Sequence, residues 1–139
     1  MILASFASCN DNDPEVYTGN KLEYQLYKAS DFDYTGVLTV REMSDGNLEM
    51  DLQLEGQNSS SATSFPAHLH HGNYTDPDAP MAYMLNAVSG ADLNSKTILG
   101  PLMDGTKLSF EDMKTFNGHV KVHLASEGPD YKVILMLLR

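Results

Sequence analysis

The chain has a single cysteine, Cys9, so it cannot close an internal disulfide. It has no apolar run of the roughly eighteen residues that a membrane-spanning helix needs. Basic residues are scarce: nine lysines and arginines stand against nineteen aspartates and glutamates, giving a net charge of −10 and a pI near 4.6. Phosphate backbones and anionic lipid surfaces are bound by basic faces, so this balance argues against both as partners. An acidic chain is instead suited to attracting cations. No Ser-His-Asp order, phosphate-binding loop or carboxylate pair stands out, and there is no internal repeat. What remains is ordinary globular material. At 139 residues, 42% hydrophobic and 20% charged, the chain fits one domain with a real core.

The first twenty residues read as an appendage, and residues 21–139 as the domain. In Ile2-Leu3-Ala4-Ser5-Phe6-Ala7-Ser8-Cys9, small residues precede a cysteine, and the polar stretch Asn10 to Glu15 follows it. This resembles the end of a bacterial lipoprotein signal peptide, with an acidic stretch like those of surface lipoproteins. A basic leading region is missing, and the apolar run is shorter than usual. The resemblance implies export to the periplasm or cell surface, with Cys9 carrying a lipid that anchors without spanning. The same residues also read as a polar N-terminal segment with a free thiol. Residues 10–20, with Pro14 and Gly19, read as a linker.

Beyond it, the pattern is that of strands. Leu22, Tyr24 and Leu26 alternate with Glu23 and Gln25, which predicts a first strand over 21–28. Residues 35–43 are rich in β-formers, and Ser44-Asp45-Gly46-Asn47 is a hairpin signal because Asp-Gly supplies positive φ. Leu48, Met50, Leu52 and Leu54 then alternate with Glu49, Asp51, Gln53 and Glu55. That alternation predicts a half-buried strand with its acidic residues outward. Further strands are expected around Phe65–Gly72, 118–125 and 131–138, and over Lys96–Leu102, where Gly100-Pro101 breaks the strand; Ala82–Val88 reads as strand or short helix, with the surrounding strands favouring strand. Ser109 with Asp112 resembles a capping box, and Phe110, Met113 and Phe116 recur at helical spacing, which predicts one short helix. Seven or eight short strands, regular turn signals and one helix predict an antiparallel, Greek-key-like β-sandwich.

The chemistry concentrates in Phe65-Pro66-Ala67-His68-Leu69-His70-His71-Gly72, which holds three of the five histidines. On a strand, His68 and His70 share a face, with Cα atoms roughly 6–7 Å apart. His71 points the other way and joins them only through a bulge after His70. The other two histidines lie in Gly118-His119-Val120-Lys121-Val122-His123-Leu124, where His119, Lys121 and His123 share one face. Two His-bearing strands that meet would build a metal site, since neutral imidazole is the commonest metal ligand. A solvated polar face is the plainer reading of the same alternation. His119 lies roughly 13 Å from His123 along a strand, so it cannot share that residue's ion without distortion and is expected at the surface. Met81 and Met84 follow the histidine stretch; they read as core fillers first and as thioether ligands for copper(I) second.

Ala67-His68-Leu69-His70 followed by Gly72 resembles the Ala-His-x-His-x-Gly element of CHRD domains, the module described in chordin. Val120-Lys121-Val122-His123-Leu124, then Glu127-Gly128 and Tyr131-Lys132-Val133, is similar to the ending of that domain. Residues 130–134 depart from the usual Gly-Glu-(Ile/Val)-Arg-Gly. CHRD domains in turn resemble the copper, zinc superoxide dismutase sandwich, in which an H-x-H strand and a late histidine hold copper. The resemblance therefore implies copper, or zinc, held by His68, His70 and His123. The zinc half does not carry over: residues 72–118 contain no histidine, and the paired cysteines are absent.

Three functions follow as expectations. The first is an exported module that binds copper or zinc through those three histidines. The second is a copper-only dismutase-like oxidoreductase, with Lys121 and Lys132 as the nearby cations. The third is an extracellular interaction module whose histidines only stabilise a loop. For a metal site, Asp76 and Asp78 are the acidic residues nearest in sequence to orient an imidazole.

Overall fold

The structure, a computed structural model, describes residues 16–28, 33–123 and 133–138. The proposed acylation site Cys9 and residues 124–132 lie outside the described residues. Eight strands and one helix follow in order: β1 Tyr17–Lys28, β2 Thr35–Met43, β3 Leu48–Glu55, β4 Ser64–His71, β5 Met81–Ser89, β6 Asn94–Leu99, α1 Phe110–Lys114, β7 Gly118–His123 and β8 Val133–Leu138. All neighbouring pairs are antiparallel, in the order β5-β4-β7-β8-β1-β2-β3-β6. Strands β1 to β3 form a meander, and the chain crosses over between β3 and β4 and again between β6 and β7. This is a Greek-key arrangement, and the sheet folds over a shared core as the predicted all-β sandwich.

The two ends of the sheet meet without a ladder. Asn86 donates its backbone N–H to Thr97 Oγ1 and its side-chain amide to the Lys96 carbonyl, while Ser95 Oγ donates to the Asn86 carbonyl. Side chains of β5 and β6 therefore satisfy edge groups that would otherwise be open to pairing. Inside lie Leu38, Val40, Leu48, Met50, Leu52 and Leu54 from β2 and β3, facing Phe65, Ala67, Leu69, Val120 and Val122 from β4 and β7.

The hairpin over 35–55 forms as predicted, and its register sets Met50 opposite Val40 and Leu52 opposite Leu38. Gly46 takes φ +88 in its turn, a conformation that glycine adopts without steric cost. The apolar set of β3 is buried as expected. Glu49 departs from the expected outward, exposed position: it points away from the core yet is itself buried, because Arg41 and Tyr17 lie against it. The first strand also begins earlier than expected. β1 starts at Tyr17, inside the stretch read as linker, with Tyr17 paired to Met43 and a register shift before Lys21. Irregularity over Thr18-Gly19-Asn20 hides this pairing from a period-2 reading.

Helix α1 forms where the cap predicts it. Ser109 accepts from the Asp112 backbone N–H, and the Asp112 carboxylate accepts from the Ser109 backbone N–H. Those bonds hold the Asp112 carboxyl below its ordinary pKa. Phe110 and Met113 are buried, so the apolar stripe belongs to the core. Among the described residues no helix is long and apolar enough to cross a membrane.

Candidate metal centre

Strand β4 lies between β5 and β7 and pairs with β7 over Ala67↔Val122, His68↔Lys121, Leu69↔Val120, His70↔His119 and His71↔Gly118. Ala67, Leu69, Val120 and Val122 point into the core. Alternation then turns His68 and His70 on β4, and His119, Lys121 and His123 on β7, to the opposite face. Gly118 lets the strands approach at the end of this ladder: a Cβ there would collide with the Phe116 ring and the His70 carbonyl.

On that face four imidazoles form a row. Ring centroids are 5.3 Å apart for His123 and His68, 5.9 Å for His68 and His70, and 5.2 Å for His70 and His119. The last pair is stacked, with 7° between the ring planes. His119 is 0% exposed and His123 3%, so His119 is not the surface residue that its spacing suggested. It is the member of the row that the sequence reading missed. The signal was present: His119 shares the alternation of His123, and an antiparallel ladder sets it opposite His70.

Two rings are oriented by the loop that follows β4. His70 Nδ1 lies 3.0 Å from the Ala79 carbonyl, and His119 Nδ1 lies 2.8 Å from the Gly72 carbonyl. A carbonyl only accepts, so both Nδ1 atoms carry the proton, and each Nε2 is left with its lone pair. Neither Nε2 has a hydrogen-bond partner among the described residues, and both are buried. The acceptors are backbone carbonyls and not the carboxylates of Asp76 and Asp78; Asp76 instead accepts the backbone N–H of Asp78. Gly72 makes the first contact by taking φ +81 directly after β4 and donating its N–H to the Asn117 carbonyl.

All four rings are held toward the neutral form. Burial is the largest cause for each, and it pushes His123 down to about 4, with the neighbouring His68, Lys121 and His70 charges adding to it. His68 is lowered by burial and then by His70 and Lys121. For His70 and His119 burial wins over the opposing bonds to the Ala79 and Gly72 carbonyls. Neutral imidazoles are the form that ligates metal.

His71 is not brought into the row. Its register shift falls on the β5 side, between Leu69 and His70; on the β7 side His71 stays paired with Gly118. Its ring packs on Phe116 with centroids 5.6 Å apart, and its Nε2 lies 3.9 Å from Asp104 Oδ2. Met81 and Met84 flank the row from β5, opposite His70 and His68 respectively, and Met84 is exposed. Lys121 sits directly across from His68.

Among the described residues, no three His, Cys, Asp or Glu side chains already converge as a preformed cage. The imidazoles instead lie ring beside ring. Their spacing nonetheless suits an ion: with metal–nitrogen bonds of about 2.0–2.1 Å, rings around a tetrahedral centre have centroids roughly 5 Å apart. The donor set, four imidazoles held toward the neutral form, two of them with a buried lone pair and a carbonyl behind the ring, fits copper or zinc. No family model matches the chain, and no curated protein or solved structure does either, so this geometry carries the functional argument.

Proposed function

We propose that the protein is an exported, CHRD-like metal-binding domain that holds copper, or zinc, through His68, His70 and His123. The observation that carries the reading is the shared outer face of β4 and β7. His68 has a ring on each side of it, at 5.3 Å to His123 and 5.9 Å to His70. The Nε2 lone pair of His70 is buried, and the Ala79 carbonyl fixes its tautomer. Copper(II) tops the divalent affinity order for nitrogen donors, which puts it first among candidate ions. Metal analysis of untagged protein, followed by titration of His70→Ala, tests the reading: wild type should bind and the variant should not.

Lys121 favours a second reading, an oxidoreductase of the dismutase type. Its ammonium lies across from His68 and is the cation placed to draw a small anion toward the row. Bound copper would supply redox chemistry; Lys121 would supply attraction. A superoxide assay on copper-loaded wild type and Lys121→Ala separates catalyst from carrier. Export rests on Cys9. In the producing bacterium, Cys9→Ser should release the protein from the membrane fraction, and retention there would refute lipid anchoring.

A further inference from the structure

We infer that His119 is itself a metal ligand, and that with His70 it forms a second cation position at the loop end of the imidazole row. This deepens the reading of a metal-binding domain and rests on it. His119 is fully buried, on a strand whose inward positions are already filled by Val120 and Val122. Buried polar atoms are nearly always paired. The Nδ1 proton of His119 is satisfied by Gly72, but its Nε2 lone pair meets no donor among the described residues. His70, stacked on it, has the same arrangement: Nδ1 on the Ala79 carbonyl and Nε2 buried without a donor.

Two lone pairs cannot satisfy each other; each requires a donor or an electrophile, and water or a divalent cation are the candidates. The carbonyls behind both rings favour the cation. Metal-ligating histidines almost always donate the other ring N–H to a carbonyl or carboxylate, which fixes the tautomer and raises the basicity of the ligating nitrogen. Here one loop does this twice, from its first residue, Gly72, and from Ala79. A loop that merely packed on a polar face would have no reason to orient two rings alike.

His119 and His123 lie four residues apart on an extended strand, roughly 13 Å between Cα atoms. One ion cannot readily take both. The row therefore offers two positions, one toward His68 and His123 and one toward His70 and His119. His70 belongs to either, so an ion can change position by exchanging one imidazole at a time.

Zinc(II) titrated into wild-type protein, followed by long-range proton–nitrogen NMR of the imidazoles, tests this without a substitution. The Nε2 resonance of His119 should leave the position of an unbound lone pair and move to that of a metal-bound nitrogen. In parallel, His123→Ala should retain zinc binding, weakened by roughly tenfold or more, and His119→Ala/His123→Ala should lose it. If the His68, His70 and His123 nitrogens move while His119 does not, His119 is only a stacked support beside a bridging water. The inference then falls and the three-histidine site stands. If no imidazole responds to zinc or to copper, the proposed function falls as well.

Discussion

The two outer faces of this sandwich are both polar and both partly buried, yet they are built on opposite principles. On β2 and β3, charge closes on charge. Arg41 Nη1 lies 3.1 Å from Asp51 Oδ2 and 3.6 Å from Glu49 Oε1. Tyr17 donates to Glu49 at 2.8 Å, and Asn94 donates to Asp51 at 2.7 Å. On β4 and β7, neutral rings lie beside neutral rings, and lone pairs of His70 and His119 are left buried with no donor among the described residues. On the first face Glu49 Oε1, buried without a hydrogen bond among the described residues, still lies against the Arg41 guanidinium. The contrast is between a polar cluster that sets one cation against two carboxylates and a row of imidazoles held toward the neutral form.

Breaking the closed face should give the largest effect on stability and none on metal. Arg41→Ala leaves Glu49 and Asp51 without their cation, and removing one partner of a buried pair typically costs about 3–5 kcal/mol. Chemical denaturation should show that loss, while copper affinity stays at the wild-type value. A large fall in affinity would mean that the two faces are coupled and the contrast is false.

Acid should act on the open face. Burial lowers the folded-state pKa of His123 to about 4, and it also lowers those of His68, His70 and His119. In the unfolded chain histidine titrates near 6.5. Between these values the unfolded state binds more protons, so the stability of the metal-free protein falls as pH drops from about 6.5 and levels off below the folded pKa values. His123 alone accounts for about 3 kcal/mol of this, at 1.36 kcal/mol per unit. Denaturation midpoints of metal-free wild type and His123→Phe across this range provide the check. The variant should show a shallower decline, and an equal decline would remove His123 from the account. Metal affinity should fall over the same range, because protonated imidazole cannot ligate.

The smallest effect is expected at Gly72. Its φ of +81 suits glycine, and a side chain there costs roughly 1–2 kcal/mol. Since its carbonyl orients His119, Gly72→Ala should also perturb the His119 ring resonances more than those of His68. Equal perturbation of both would detach the loop from the His119 ring.

The fold was legible where period and turn chemistry agree. Leu48, Met50, Leu52 and Leu54, preceded by Asp45-Gly46, specify both the hairpin and the face that it buries. The capping pair Ser109 and Asp112 marked the start of α1. Alternation also grouped His68 with His70, and His119 with His123. It could not tell that the outer faces are themselves partly buried, because that depends on what a loop or a distant strand lays over them. Glu49 and His119 were misjudged for this one reason: Tyr17 reaches the first from β1, and Gly72 reaches the second from the loop after β4. Orientation of the rings by backbone carbonyls was equally hidden, since carbonyls have no sequence signature, whereas the carboxylates of Asp76 and Asp78 do. The beginning of β1 escaped because Thr18, Gly19 and Asn20 break the alternation at a register shift.

Whether the face of β4 and β7 holds a metal ion through imidazole nitrogen can be read from the ion itself. Copper(II) titration of untagged protein, with the nitrogen couplings read by electron paramagnetic resonance, tests it most directly. Binding should be stoichiometric, with several imidazole nitrogens on the copper, lost in His70→Ala and retained in His71→Ala. Wild-type protein that binds no copper, or a His70→Ala variant that binds it with the same nitrogen couplings, would contradict it.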